Sequence, residues 1–92
     1  MAELRVNGER LWQSLMTMAE IGATAKGGVN RQTLTDEDRR GRDLFKTWCE
    51  DAGLRVSVDR MGSMFARRKG RDESRPPVML GSHLDSQRWR RA

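Results

Sequence analysis

The hydrophobic positions in the first half of the chain form two helical stripes. Asn7 is a good N-cap, and apolar residues then recur at three- and four-residue spacing up to residue 20. Thr35 can cap a second helix, because its hydroxyl can accept a hydrogen bond from the free N–H of Asp38. This helix ends at Gly53, where a left-handed residue is usual. The two stripes consist of Leu11, Trp12, Leu15, Met18 and Ala19, and of Leu44, Phe45, Trp48, Cys49 and Ala52. We therefore predict two amphipathic helices joined by a glycine-rich loop over residues 22–34.

After the second helix the hydrophobic period changes to that of a strand. Residues 54–59 alternate between apolar and polar, and residues 64–68 follow a turn, which predicts an antiparallel hairpin. The wholly apolar segment Val78-Met79-Leu80 predicts a short strand in the centre of a sheet, covered on both faces. Both helices should pack on this sheet to hide Trp12 and Trp48. One face of the central strand then lacks a covering layer in this chain. The predicted fold class is α/β with an incomplete sheet: two helices, a β-hairpin and a buried strand.

Composition narrows the classes of function. A single cysteine, Cys49, excludes an internal disulfide and a zinc finger, and its place on a helical stripe favours a core residue over a reactive thiol. No run approaches the ~18 apolar residues of a membrane helix. The start of the chain lacks the apolar stretch of a signal peptide. We expect a cytoplasmic location and no membrane partner.

The chain carries 18 Lys and Arg against 13 Asp and Glu, a net charge of +5. Three of the arginines lie in the last five residues, Arg88 to Ala92, so the basic character is largely terminal. A nucleic-acid binder is one alternative, in which these arginines would act with Trp89 as a stacking ring. No known nucleic-acid motif accompanies the charge, and we expect no nucleic-acid partner.

The segment Gly81-Ser82-His83-Leu84-Asp85 is the main candidate for chemistry. Ligands of open α/β sheets bind at the carboxyl ends of the strands. In extended backbone, His83 and Asp85 point to the same side. An imidazole that binds a metal through one nitrogen usually donates its other N–H to a carboxylate, which favours His83 as a metal ligand and Asp85 as its orienting partner. The alternative from these residues alone is a surface histidine beside a solvated aspartate. Gly27-Gly28 is a turn rather than an anion nest, because no phosphate-loop Lys-Ser/Thr follows it.

Many short motifs follow one another along the chain. They are Asn7-Gly8-Glu9-Arg10-Leu11-Trp12, Ile21-Gly22-Ala23-Thr24, Gly27-Gly28-Val29-Asn30-Arg31, Leu34-Thr35-Asp36, Asp38-Arg39, Gly41-Arg42-Asp43-Leu44-Phe45, Val58-Asp59, Phe65-Ala66-Arg67-Arg68, Pro76-Pro77-Val78-Met79 and Gly81-Ser82-His83-Leu84-Asp85-Ser86-Gln87. In this order they resemble the zinc-dependent amidohydrolases that include N-carbamoyl-L-amino-acid hydrolase, β-ureidopropionase and allantoate amidohydrolase. These enzymes are part of the co-catalytic metallopeptidase superfamily of aminoacylases and carboxypeptidases, and the resemblance covers residues 7–87 of this chain.

The resemblance implies the N-terminal part of a catalytic domain, residues 1–87, that binds two divalent metal ions, zinc or manganese. His83 would ligate one of them, and Asp85, as the catalytic-site aspartate, would clamp that histidine. The implied substrate is a small N-carbamoyl or ureido acid, and Arg31 is a candidate contact for its carboxylate. The implied family also forms homodimers through a separate lid domain, which this chain does not match.

The chain departs from the family after Gln87. Residues 88–92 form an Arg/Trp tail that does not match it, and our hypothesis for this tail is out-of-frame translation. The family's bridging aspartate, its remaining ligands and its general-base glutamate would all lie further on. We therefore expect a truncated hydrolase of linear amide C–N bonds, inactive alone. A small interaction module that complements a separate remainder is the alternative from another class.

Overall fold

The computed structural model describes residues 3–87, and these contain two α-helices followed by two β-strands. Helix α1 spans Gly8–Glu20, and the Asn7 side chain accepts a hydrogen bond from the backbone N–H of Arg10 at 3.1 Å. This bond satisfies one of the amide groups that a helix start leaves without a partner. The predicted first helix and its cap are confirmed.

Helix α2 spans Asp36–Asp51 and begins with two reciprocal capping bonds. The hydroxyl of Thr35 accepts from the N–H of Asp38 at 3.2 Å, and the carboxylate of Asp38 accepts from the N–H of Leu34 at 3.0 Å. In a capping box, the carboxylate at the third helical position accepts from the N–H of the cap residue itself. Here the Asp38 carboxylate accepts from Leu34, the residue before the cap Thr35. The helix is followed by Gly53 with a φ of 82°, the left-handed geometry expected after its end.

The strands β1 (Arg55–Val58) and β2 (Met64–Arg67) form the predicted antiparallel hairpin. Val56 lies opposite Ala66, and α2 packs against β1. Asp59 stabilises the turn, because its Oδ1 accepts hydrogen bonds of 2.9 Å from the N–H groups two and four residues further on. Such local bonds from an aspartate side chain favour a turn over continuation of the strand.

The predicted third strand is wrong. Within residues 3–87 the sheet has two strands, and Val78, Met79 and Leu80 form no strand and are 94%, 79% and 91% exposed. A central strand needs neighbours for its backbone hydrogen bonds and layers on both faces. The described part of the chain supplies neither to this segment.

The core of the described residues is small. Met18 and Cys49 are its buried apolar side chains, so the expectation that Cys49 is a core residue is confirmed. Trp48 is half-buried, but Trp12 is 61% exposed, which contradicts its predicted burial. The apolar stripe therefore predicts helix α1 correctly, but the prediction that the sheet buries Trp12 on this stripe is wrong.

The tail over residues 88–92 lies outside the described residues. Within the described ones, neither helix has the length and apolar character needed to span a bilayer.

Candidate functional site

The segment that contains His83 and Asp85 is fastened to the loop after α1. The N–H of Arg31 donates to the hydroxyl of Ser86 at 2.6 Å, and the N–H of Ser86 donates to the carbonyl of Arg31 at 2.7 Å. These two bonds join positions that are 55 residues apart in the sequence. They fix the backbone directly after Asp85 against the loop.

The side chain of Arg31 adds three hydrogen bonds to backbone carbonyls. Its Nε donates to Leu84 at 2.9 Å, and its Nη1 donates to Met18 at 2.9 Å and to Ile21 at 2.7 Å. Arg31 is only 8% exposed. One guanidinium group thus joins the end of α1 to the residue between His83 and Asp85.

The sequence provides a physical reason for this placement. The last carbonyls of a helix lack intrahelical partners and attract positive charge, yet the last turn of α1 contains no basic residue. Arg31 supplies that charge from the loop. Its aliphatic part lies over Gly41 of α2, where an added Cβ would be 2.9 Å from the Arg31 Cδ. The absence of a side chain at Gly41 therefore makes room for Arg31 between the two helices.

Thr33, Asp85 and His83 form a chain of polar contacts on this framework. The hydroxyl of Thr33 donates to Asp85 Oδ2 at 2.8 Å, since an ionised carboxylate can only accept. The other carboxylate oxygen, Oδ1, lies 3.2 Å from His83 Nδ1, which is also 2.8 Å from the Asp85 carbonyl oxygen. The structure thus brings together the two residues singled out from the sequence, together with Thr33.

These contacts select one tautomer of His83. A carbonyl oxygen cannot donate a hydrogen bond, so the contact with the Asp85 carbonyl requires a proton on Nδ1. In the neutral ring Nε2 then carries the lone pair. The His83 side chain is 71% exposed and that of Asp85 29%. Nε2, the nitrogen able to bind a metal, is therefore part of a solvent-accessible ring, and Asp85 fixes the other nitrogen, Nδ1.

The pKa of Asp85 is lowered from its ordinary value. The hydrogen bond from the Thr33 hydroxyl is the main cause; burial opposes it, and the contact with His83 makes a smaller contribution that lowers the pKa further. Asp85 is therefore ionised at neutral pH, which is the form that accepts bonds from both neighbours.

The described residues can supply one ligand of a metal site, His83, but not a complete set of ligands. Among residues 3–87 no three His, Cys, Asp or Glu side chains lie close enough together to hold an ion. Zinc sites use three or four protein ligands. His83 with its carboxylate support matches the usual form of a single histidine ligand, and further ligands would have to come from outside these residues.

Sequence reasoning identified His83 and Asp85 but missed Thr33 and Ser86. It also gave Arg31 a different role, as a contact for a substrate carboxylate. The Nε and Nη1 of Arg31 donate to backbone carbonyls inside the protein, which gives this residue an anchoring role, while its contact with a substrate carboxylate stays a prediction. No local spacing could have indicated the contacts of Arg31 and Thr33 with residues 84–86, because each joins positions more than 50 residues apart.

No family model matches the chain, but individual proteins do. An N-carbamoyl-L-amino-acid amidohydrolase of Rhizobium meliloti is 60% identical over 83 residues, which is 90% of this chain and 20% of that protein. Allantoate deiminase 1 of Glycine max is 34% identical over 76 residues, 80% of this chain and 16% of the relative. A crystal structure of a hydantoinase/carbamoylase family amidase from Burkholderia ambifaria superposes with a TM-score of 0.90 at 60% identity and covers 94% of this chain and 21% of that one.

Sequence and backbone therefore point to the same class of relatives, proteins named as amidases and amidohydrolases. Within this class the chain is homologous to a segment of the hydantoinase/carbamoylase family amidases. Its relatives include N-carbamoyl-L-amino-acid amidohydrolases. The resemblance predicted from the sequence is confirmed. The chain spans about a fifth of the length of the curated relatives that it matches.

Proposed function

We propose that this chain is the part of a metal-dependent amidohydrolase that contributes His83 as a metal ligand and Asp85 as the residue that orients it. The proposed reaction is hydrolysis of a linear amide C–N bond in an N-carbamoyl amino acid or a ureido acid. The observation that carries the proposal is the contact of His83 Nδ1 with Asp85, at 2.8 Å to its carbonyl and 3.2 Å to its carboxylate. This contact lies in a chain that is 60% identical to an N-carbamoyl-L-amino-acid amidohydrolase.

In the proposed reaction, the residues of this chain orient a metal ligand. Asp85 keeps the Nδ1 proton of His83 in place, which leaves the Nε2 lone pair available to a zinc or manganese ion. Such an ion, when bound, activates water and polarises the substrate carbonyl. The hydrogen bonds of Arg31 and Ser86 prevent the backbone around Asp85 from moving away.

A single histidine ligand is too few for a catalytic metal centre, which needs three protein ligands and an open position. We therefore propose that the chain is inactive alone and that the general base and the other ligands reside elsewhere in the complete hydrolase. The proposed setting is a reducing compartment, in line with the free thiol of Cys49.

Metal binding at His83 can be measured without turnover, because His83 is the only histidine of the chain. Paramagnetic Mn²⁺ should broaden the ring proton signals of His83 in NMR spectra before it broadens amide signals near the exposed carboxylate of Asp72. The variant Asp85→Asn should weaken this broadening about 10-fold, as for other residues that support a metal ligand. The matched control Asp72→Asn should leave it unchanged. Broadening near Asp72 with sharp His83 ring signals would refute the proposed ligand.

Turnover is tested separately with purified chain, N-carbamoyl amino acids and Zn²⁺ or Mn²⁺. We expect no product above a blank that contains the metal alone. Product formed by the wild-type chain and lost in His83→Ala would contradict the claim that the centre is incomplete.

A further inference from the structure

We propose that Thr33 is a positioning residue for the candidate metal site: its hydroxyl holds the carboxylate of Asp85 in the orientation that faces His83. The inference rests on the proposed function for its meaning, but the contact itself can be tested without a metal. It adds to the His83–Asp85 pair a residue from a different part of the chain, 52 positions away.

The two oxygens of the Asp85 carboxylate have different partners. Oδ2 accepts from the Thr33 hydroxyl at 2.8 Å, while Oδ1 lies 3.2 Å from His83 Nδ1. A carboxylate is planar, so a bond that fixes one oxygen also fixes the direction of the other. Without Thr33, rotation about the side-chain bonds of Asp85 would turn Oδ1 away from the ring.

Both residues of the Thr33–Asp85 hydrogen bond lie on segments that other hydrogen bonds fix in place. Thr33 lies two residues after Arg31, whose backbone pairs with Ser86. Asp85 lies between Leu84, whose carbonyl accepts from Arg31, and Ser86. A hydroxyl and a carboxylate on two fixed segments lose little conformational entropy when they bond, so the bond can persist although Thr33 is exposed.

His83 alone could not fix the orientation of the Asp85 carboxylate. Its side chain is 71% exposed, and its Nδ1 approaches the carbonyl oxygen of Asp85 more closely, at 2.8 Å, than the carboxylate. The carbonyl and the carboxylate of Asp85 thus share the Nδ1–H of His83, and the carboxylate needs a second partner to stay beside the ring. Thr33 is the described side chain that provides one.

The test compares Thr33→Val, which keeps the shape of the side chain but removes its hydroxyl, with Thr33→Ser, which keeps the hydroxyl. Three-bond couplings from the backbone to Cγ report the rotamer of Asp85 at a neutral pH where it is ionised. We expect one dominant rotamer in the wild-type chain and in Thr33→Ser, and an average over several rotamers in Thr33→Val. The matched control is Thr47→Val, because the Thr47 hydroxyl bonds only within α2.

The same variants are then titrated with Mn²⁺, with the His83 ring signals as the readout. The loss of one hydrogen bond should weaken binding in Thr33→Val by about 2- to 10-fold, with wild-type affinity in Thr33→Ser and Thr47→Val. An unchanged Asp85 rotamer in Thr33→Val overturns the inference. So does a changed rotamer with unchanged affinity, since Thr33 would then not act on the site.

The two proposals fail in different ways. If Mn²⁺ does not reach His83 in the wild-type chain, the proposed metal ligand is refuted, while the couplings still decide whether Thr33 orients Asp85. If Mn²⁺ binds at His83 equally in all variants, the metal ligand stands and the role of Thr33 is refuted.

Discussion

At the scale of single residues, the charged side chain of Arg31 connects distant segments of a protein that has a very small apolar core. Its guanidinium group donates three hydrogen bonds to carbonyls from two distant segments while it is only 8% exposed. Burial of a charged group is unfavourable unless such bonds compensate. The bonds therefore account for its burial, and they place the His83–Asp85 segment against the end of α1.

Cys49 is predicted to be an unreactive thiol in the folded chain. Burial, with a smaller effect of the negative charge of Glu50, raises its pKa above the usual range. Because the thiolate is the reactive form, we expect slow reaction with a disulfide reagent at neutral pH and a rate at least about 10-fold higher in urea. Equal rates with and without urea would show that Cys49 is not buried in solution.

The raised pKa of Cys49 also makes the free energy of unfolding depend on pH. Above about pH 9 the unfolded thiol ionises while the folded one still holds its proton. The contribution of this group is therefore present below that pH and is lost as the pH rises. A Cys49→Ala variant should not show this part of the pH dependence.

At the scale of elements, the contact between α1, α2 and Arg31 depends on Gly41. In an isolated helix Gly→Ala stabilises by about 1 kcal/mol. At Gly41, however, the new Cβ would lie 2.9 Å from Arg31 Cδ and 3.4 Å from Met18 Sδ. Arg31 cannot retreat without breaking its hydrogen bonds, so we expect Gly41→Ala to destabilise the chain by a net ~1–3 kcal/mol.

Gly8→Ala is the matched control for Gly41→Ala. Gly8 is the first residue of α1, and nothing lies within 4 Å of a Cβ added there. This variant should be as stable as the wild type or slightly more so. Far-ultraviolet circular dichroism in increasing urea, together with the exchange rate of the Ser86 amide, measures both variants. A Gly41→Ala chain with slower Ser86 exchange would contradict the packing described for Arg31.

Local signals in the sequence were sufficient for the two helices and the hairpin, but they gave a wrong third strand and did not predict how the elements pack. The capping residues Asn7 and Thr35 predict helix starts because their bonds lie within four residues. The alternation over residues 54–58 predicts the hairpin in the same way. The contacts of Arg31 and Thr33 with residues 84–86 have no local signature, and the exposure of Val78–Leu80 depends on which neighbours are present.

At the scale of the whole molecule, many large apolar side chains remain exposed, and two groups of them each consist of neighbouring residues. One is the face of α1 that carries Leu11, Trp12 and Leu15, and the other is Val78–Leu80. Full burial of each such side chain would contribute about 1.5–3 kcal/mol. The folded part of the chain therefore lacks much of the apolar burial that stabilises a domain of ordinary size, and we expect a broad, weakly cooperative thermal transition.

The exposed segment Val78–Leu80 predicts self-association of the chain. Full burial of three such side chains from each of two copies would contribute at most about 9–18 kcal/mol, which is of the same order as the ~4–15 kcal/mol cost of bringing two molecules together, so the net association should be weak. We expect association in the micromolar range, measured by analytical ultracentrifugation. Leu80→Glu should weaken it at least about 10-fold, because a carboxylate would have to be buried in the contact. Leu4→Glu introduces the same charge at another exposed leucine, 96% accessible, and should have little effect. If both variants weakened association equally, net charge rather than Val78–Leu80 would govern it.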